Sequence, residues 1–466
     1  MTSDTTVAPF RRSSRCSDIS MTTIKNKALR KANYEDAESS DGTLDEEENE
    51  TFTRTEFSLP PVDRGYHAIM TLICGFFVEG LSYGLPFAYS VFQTYYHTHE
   101  FQDASLTTLA LVGTLNSGLT YIGGGLLVPP LGAFLSLKQL MYIGSITMVI
   151  GFLGASFATS AWHLVLTQGV ILGIGGSFVY NAFMPFVPMW FFKRRGLATG
   201  LIFSGAGVFG LTAPIAIEKA LATIGFRWTL RILALFTLVF SLGSTIMVRP
   251  RYMPDATKTK HRVQLSVKDF RFLISKKFLI LGLSVLCQGI GYFLPNLFVQ
   301  SYALSVGVSD QMATYLVSIM NAMTIVGQLF MGYVSDRIGY YHAMVISSTF
   351  ASLSTFLLWR FAGSSLAMIM AYVIVYGIFG SGFSTCFTSM VADVSGDPSQ
   401  FVLVSGMFMI LRGLGNVVGN PLGSVLLTTS NIMNGWHDIT YFVGSFLMAS
   451  AIFGSLRGLL TLRTPA

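Results

Sequence analysis

The sequence predicts an all-α membrane protein of twelve transmembrane helices in two groups of six, and three observations carry that prediction. Of 466 residues, 52% are hydrophobic and only 12% are charged, too few charges to cover a soluble domain of this size. The apolar residues fall into runs close to twenty long, the length a helix needs to cross a hydrocarbon layer of about 30 Å. Basic residues crowd into alternate loops, as they do on the cytoplasmic side of membrane proteins.

Residues 1–60 are rich in Ser, Thr and charge, include the acidic run Asp45, Glu46, Glu47, Glu48 and Glu50, and show no apolar periodicity. This composition predicts a disordered tail, placed in the cytoplasm by the topology below. It holds no apolar stretch of the kind a secretory signal needs. Arg11, Arg12 and Arg15 among serines faintly resemble a transit peptide, a reading the acidic run opposes.

A first half, 61–248, contains apolar segments at 66–92, 106–128, 139–159, 163–189, 197–217 and 229–248. A second, 278–466, contains them at 278–302, 312–334, 341–361, 366–390, 401–427 and 439–460. Between them, 249–277 carries Arg249, Arg251, Lys258, Lys260, Arg262, Lys268, Arg271, Lys276 and Lys277, the pattern of a cytoplasmic connector. An even number of spans then puts both termini inside, together with Lys138, the run Lys193, Arg194, Arg195, and Arg337. The opposite loops show only Lys219, Arg227 and Arg360 near helix ends.

The halves repeat one another. Gly80, Tyr83, Leu85 and Pro86 match Gly289, Tyr292, Leu294 and Pro295 at a shift of 209; Asn116 matches Asn321 at 205; Gly205 and Gly207 match Gly413 and Gly415 at 208. A shift this constant over three helix pairs points to parallel repeats about an axis normal to the membrane.

Cys16, Cys74, Cys287 and Cys386 have no paired spacing, so neither a disulfide framework nor a zinc site is expected. No phosphate loop, His-Glu-x-x-His pair or Cys-His cluster is present, which argues against an enzyme or an ATP-driven pump and for no cofactor and no metal. The net charge of +6 comes from the membrane part, because the first 64 residues are net acidic. The basic excess therefore signals a bilayer partner and no nucleic-acid surface.

Three motifs carry a family resemblance. The run Trp190, Phe191, Phe192, Lys193, Arg194, Arg195, Gly196, Leu197, Ala198, Thr199, Gly200, ending in Ser204 and Gly205, closely resembles the fifth-span signature of the monocarboxylate transporter family. Asp63, Gly65 and Tyr66 resemble that family's acidic-glycine-aromatic motif before the first span, while Arg64, His67 and Ala68 depart from it. Gly332, Asp336, Arg337 and Gly339 look like the loop motif shared by major facilitator proteins generally, and Val91, Phe92, Gln93, Thr94, Tyr95, Tyr96 is similar to fungal members. The resemblance covers the chain from about residue 60 onward and implies the major facilitator fold. Better-known animal members carry a lysine late in the first span, where this chain has Phe87. They also carry an acid and an arginine in the eighth span, where it has Thr324 and Gln328. The usual carboxylate and proton site is thus missing or relocated.

Ionisable groups near mid-span are scarce, and the clearest are Glu79 and Arg412. A guanidinium at that depth needs an internal anion, a carbonyl or a water-filled cavity, since it is too deep to snorkel. Arg412 reads as a substrate-anion receptor, because its planar fork pairs bidentately with a carboxylate; the alternative is a structural brace. Glu79 reads as the proton-coupling group, because a carboxyl group can hold or release a proton as a substrate arrives; the alternative is a neutral carboxyl hydrogen-bonded between helices. No histidine lies mid-span. Gly84 and Pro86, with Gly291 and Pro295, break the first and seventh spans at matching depth, where transporter sites form; packing kinks are the alternative. Tyr83, Tyr292, Asn296, Asn321 and Gln328 then supply donors to a partly aromatic ligand, or else ordinary interhelical hydrogen bonds. Lys193, Arg194 and Arg195 read as a topology determinant at the cytoplasmic mouth, and Asp336 and Arg337 as a cytoplasmic latch.

The function expected is secondary active transport of a small organic acid or related metabolite by alternating access, with export of a fungal secondary metabolite as one form. The partners are a small organic anion, protons and the lipid bilayer, with the plasma membrane or an organelle membrane as host. Proton-coupled monocarboxylate uptake is the near alternative. A non-transporting membrane sensor is the alternative of another class, for which a longer signalling domain than the 60-residue tail would be expected.

Overall fold

The computed structural model describes residues 61–132, 134–251, 267–395, 400–429 and 432–463. The expected tail and residues 252–266 of the connector lie outside the described residues, where every secondary-structure element is helical. Helix α1 spans Tyr66–Glu100, α2 Leu106–Leu126, α3 Leu137–Ser156 and α4 Ala161–Trp190. The stretch Arg195–Met247 holds two passes, because Gly225 (φ 71°, ψ 173°) interrupts it; 195–224 is α5 and 226–247 is α6. Then come α7 Lys276–Ser305, α8 Asp310–Ile338, α9 Tyr340–Trp359, α10 Leu366–Ser395, α11 Phe401–Thr429 and α12 Ile432–Arg463.

Ten helical stretches among the described residues are long and apolar enough to cross a membrane. The 53-residue stretch counts once among them and the 21-residue α2 not at all, so the passes number twelve. The largest difference from the sequence reading is at 218–228, expected as a loop. There the helix continues through the helix formers Glu218, Lys219, Ala220 and Leu221, and reverses at one residue whose positive φ glycine adopts without strain.

Local chemistry sets the other ends. The Ser105 side chain accepts from the Thr108 N–H at the start of α2, Ser136 and Gln139 form a reciprocal cap on α3, and Ser275 accepts from the Phe278 N–H on α7. Gly339, at φ 91°, ends α8 and starts α9.

In the first half α4 packs on α2 and α3; in the second, α8 packs on α10, and α7 on α11 and α12. Small residues let these backbones approach, which matters where lipid supplies no hydrophobic drive between helices. A Cβ at Gly144 of α3, for example, would lie 2.8 Å from the Gly175 carbonyl oxygen of α4. Ile146, Leu235 and Ile452 stay open outward, as a lipid-facing surface requires.

All twelve helices begin or end on one of two faces. The face holding Asp63, Lys193, Asp336 and Arg457 is called the basic face below. There Asp393 joins four helices of the second half: it accepts from Arg457 Nε (3.1 Å) and Nη2 (2.8 Å) and from the Tyr340 hydroxyl (2.7 Å), and pairs with Lys277 at 3.4 Å.

The halves meet along two seams, α5 with α8 and α2 with α11. Both are tightest near the basic face. A Cβ at Gly196 would lie 2.6 Å from the Gly332 backbone oxygen, whereas one at Gly207 would meet the Ile325 side chain at 2.7 Å and stay 3.7 Å from the backbone, at the Asn321 oxygen. A Cβ at Gly125 would overlap the Gly406 carbonyl oxygen, whereas one at Gly118 would meet Val417 at 3.8 Å. The molecule is therefore closed at the basic face, with seams that loosen toward the other.

Candidate functional site

Two broken helices frame the centre. After Glu79, α1 widens into a π-helical turn over Gly80–Gly84, the kind of irregularity that gathers at functional sites. Pro86 follows, which cannot donate its nitrogen to the helix. Gly80 permits the Phe209 ring of α5 to close on the turn, since a Cβ there would lie 2.5 Å from it. In α7 the break falls between Tyr292 and Leu294, with Pro295 next, and the Tyr292 carbonyl accepts from the Tyr376 hydroxyl at 2.9 Å. The matched Gly-Tyr-Leu-Pro elements of the two halves thus become matched breaks.

Between them lies Arg412 of α11, 6% exposed. Its guanidinium sits 5.6 Å from the Tyr292 ring and 5.9 Å from the Tyr121 ring, and its Nη2 donates to Ser384 Oγ at 2.8 Å. Tyr121 stacks at a tilt on Tyr83 (4.7 Å), and Tyr83 meets Tyr180 edge-on (4.8 Å). A cation over aromatic faces is held by the ring quadrupoles without being neutralised, so it keeps its charge for another partner. The Nε of Arg412 is buried with no hydrogen-bond partner.

Glu79, 7% exposed, faces this cation from the first half. Arg412 is the charge that acts on Glu79, yet the two form no ion pair, and Glu79 Oε2 is buried without a partner. Glu79 and Arg412 thus interact through their electrostatic field and not through an ion pair, which leaves the guanidinium without a carboxylate in contact.

Of the other residues singled out from sequence, Tyr83 and Tyr292 join this centre and Asn296 lies one turn beyond Tyr292, its Oδ1 unpartnered. Asn321 and Gln328 lie instead on α8 along its seam with α5, beside Gly207 and Gly200. The Gln328 Oε1 is buried and unpartnered.

At the basic face the motifs interlock. Asp63 accepts from the N–H groups of Phe192, Lys193 and Arg194, at 3.1, 3.0 and 3.1 Å, so the acidic residue before α1 caps the turn that carries the fifth-span signature. Arg195 Nε donates to the Phe191 carbonyl at 3.3 Å. Asp336 crosses between halves: its Oδ1 accepts from Gly196 N (2.6 Å) and its Oδ2 from Leu197 N (2.9 Å) at the N-terminus of α5. A carboxylate there satisfies otherwise orphaned donors and complements the helix dipole. Thr199 and Thr388 hydroxyls meet beside it at 2.5 Å. Arg337 turns away onto the Tyr333 ring at 5.2 Å.

Sequence reasoning missed Tyr121, Tyr180 and Ser384, which read as ordinary span residues until α2, α4 and α10 are seen to converge on Arg412. It also missed Asp393 and Arg457, which lie 64 positions apart at the ends of two helices. Among the described residues no group of three or more His, Cys, Asp or Glu could hold a metal ion.

Twelve apolar passes around a buried, charged centre between two halves define a multi-pass integral membrane transporter. The Major Facilitator Superfamily profile matches residues 71–306 and again 281–465, so the chain belongs to that superfamily, whose members are transporters and not enzymes. The agnestins efflux protein of Paecilomyces divaricatus is 29% identical over 391 residues, covering 83% of this chain and 86% of its own. The MFS-type transporter pynF of Aspergillus niger is 27% identical over 395 residues, covering 84% and 89%. In fold, a variant of the E. coli fucose:proton symporter FucP matches with a TM-score of 0.67 at 14% identity, over 84% of this chain and 99% of that one.

Proposed function

We propose that this secondary transporter exports an organic acid, of the kind fungal secondary metabolism produces, from the cytoplasm across the plasma membrane. In this reading the acid binds Arg412 between Tyr121 and Tyr292. The single observation that carries it is a central guanidinium that has aromatic faces and one hydroxyl for partners but no carboxylate. Such a charge in a membrane interior calls for an anion, and a fork of donors prefers a planar one. Glu79 supplies the coupling: an arriving carboxylate competes for the field of Arg412, and Glu79 then takes a proton. The Asp336 contact holds the halves closed on the basic side, taken as cytoplasmic, in the arrangement that releases substrate, and must break before the next substrate enters from the cytoplasm.

The efflux named for the Paecilomyces relative supports the direction of transport. The fifth-span signature supports placement nearest the monocarboxylate transporter family, and with it a second reading, proton-coupled uptake of a compact monocarboxylate. The absence of the family's lysine at Phe87 and of its charged pair at Thr324 and Gln328 favours the first.

The test is counterflow of labelled gallate and labelled lactate in proteoliposomes, with and without an imposed pH gradient. Gallate exchange that Arg412→Lys weakens and Arg412→Gln abolishes is expected. The loss from Gln should be about 2–5 kcal/mol, the range for removing one partner of a buried charge pair. A folded Arg412→Gln protein with wild-type gallate affinity would exclude the binding role, and lactate transport without gallate transport would favour the second reading.

A further inference from the structure

Arg412 does not stand alone on its helix. Asn416 and Asn420 follow at four-residue steps, and across the interface Gln288, Tyr292 and Asn296 repeat the same spacing on α7. Residues four apart on one helix lie on the same face about 6 Å above one another, so Arg412, Asn416 and Asn420 form a column, as do Gln288 and Tyr292; Asn296 follows past the break at Phe293, whose φ −83° and ψ −22° stay close to helical. Tyr292 and Arg412 touch, which fixes the columns side by side. The helices are held close by glycine: a Cβ at Gly289 would lie 2.8 Å from the Arg412 oxygen, and one at Gly415 2.7 Å from the Leu286 oxygen.

Interhelical hydrogen bonds are the ordinary use of amides in such a place, and the buried oxygens of these amides accept none. Both side-chain atoms of Gln288 are buried without a partner, as are Asn296 Oδ1, Asn416 Oδ1 and Asn420 Oδ1. Gln288 is 1% and Asn416 9% exposed, while Asn296 and Asn420 are half-buried. The columns thus run from the enclosed centre toward the face where the seams loosen. Buried polar groups in a membrane interior are costly unless something completes them.

We propose that the two columns are an extended subsite for the neutral oxygens of the substrate. The substrate is then an elongated acid of at least two linked rings or an equivalent chain, bearing hydroxyl, ester or keto groups along about 12 Å, the rise from Arg412 to Asn420. This rests on the acid-binding reading of Arg412. It adds that a compact monocarboxylate fills only the inner end of the site, and that selectivity for length resides in the second half.

The test compares binding of gallate with that of digallate, two gallate rings joined by an ester, to the full chain in nanodiscs by isothermal titration calorimetry. The wild type should bind digallate at least tenfold more tightly. Asn416→Leu and Asn420→Leu should each weaken digallate about tenfold and leave gallate unchanged; Asn420→Ala, at the half-buried outer position, gives the same reading should the leucine variants fold poorly. Arg412→Gln should weaken both probes. Equal wild-type affinity for the two acids, no digallate binding, or asparagine variants that weaken gallate as much as digallate would each overturn the subsite. Gallate binding that survives Arg412→Gln while the asparagine variants still lose digallate would remove the acid-binding reading and keep the columns.

Discussion

Replacing Asp336 by alanine should open the basic face. The carboxylate accepts two backbone N–H groups of α5 across the interface, at 2.6 and 2.9 Å. Hydrogen bonds to a charged group contribute about 1.5–3 kcal/mol each, and a negative charge at a helix N-terminus about 0.3–1 more. Asp336 is only half-buried, so water replaces part of what is lost, leaving a net of about 2–4 kcal/mol. At about 1.4 kcal/mol per tenfold, the closed arrangement should fall by roughly 30- to 1,000-fold relative to the open one. Asparagine keeps an acceptor oxygen and loses the charge, so Asp336→Asn should fall between. Cys386 is a built-in reporter, 1% exposed with its sulfur 3.9 Å from the Ser335 hydroxyl beneath this contact. With Cys16, Cys74 and Cys287 replaced by alanine, maleimide labelling of Cys386 should accelerate in the order wild type, Asn, Ala. Equal rates in all three proteins would show that Asp336 does not hold this face shut.

Glu79→Gln should remove the dependence of flux on an imposed pH gradient while substrate exchange persists, because an amide is neutral at every pH; an unchanged pH profile in proteoliposomes removes Glu79 from coupling. Gly125→Val should disturb the seam with Gly406 by about 1–3 kcal/mol, the cost of overpacking, and raise Cys386 labelling with Asp336 intact; wild-type labelling counts against a tight seam. Arg457→Ala should lower stability by about 2–4 kcal/mol, below the fully buried case because Asp393 retains 24% of its side-chain exposure. Adding Asp393→Asn should recover part of that loss in thermal melts. A tag within residues 95–104 should be reached by antibody on intact cells and one within 252–266 only after permeabilisation; the reverse pattern would invert the proposed topology.

The span pattern was legible because bilayer thickness imposes length on every helix, and no soluble constraint imitates it. The turn at Gly225 was less so: a charge pair such as Glu218 and Lys219 reads as the end of a span, but helix propensity carries the chain past the hydrocarbon before one glycine reverses it. Glu79 and Arg412 stood out because charge at depth is rare, whatever the tertiary arrangement. The polar columns did not. Each amide taken alone has an ordinary explanation, and the four-residue spacing acquires weight only once α7 and α11 are known to be neighbours. Tyr121 and Tyr180 were hidden for the same reason, since nothing in α2 or α4 marks the tyrosine that will lie near an arginine more than two hundred positions later.

The two seams close the same face by different chemistry. On the α5–α8 side the close backbone approach of Gly196 and Gly332 is joined by an ionic, directional contact, a carboxylate on two amide donors, which breaks over a fraction of an ångström. On the α2–α11 side the closure is backbone against backbone at Gly125 and Gly406, a contact with nothing to unlock and little room to slide. By the internal shift of 205–209, the first-half counterpart of Asp336 falls within residues 127–131, where no acid stands. The two edges are therefore unequal: both are held by close glycine contacts, and one alone adds a carboxylate catch. Asp336 is then a contact at this face that a single side-chain change removes without touching the substrate.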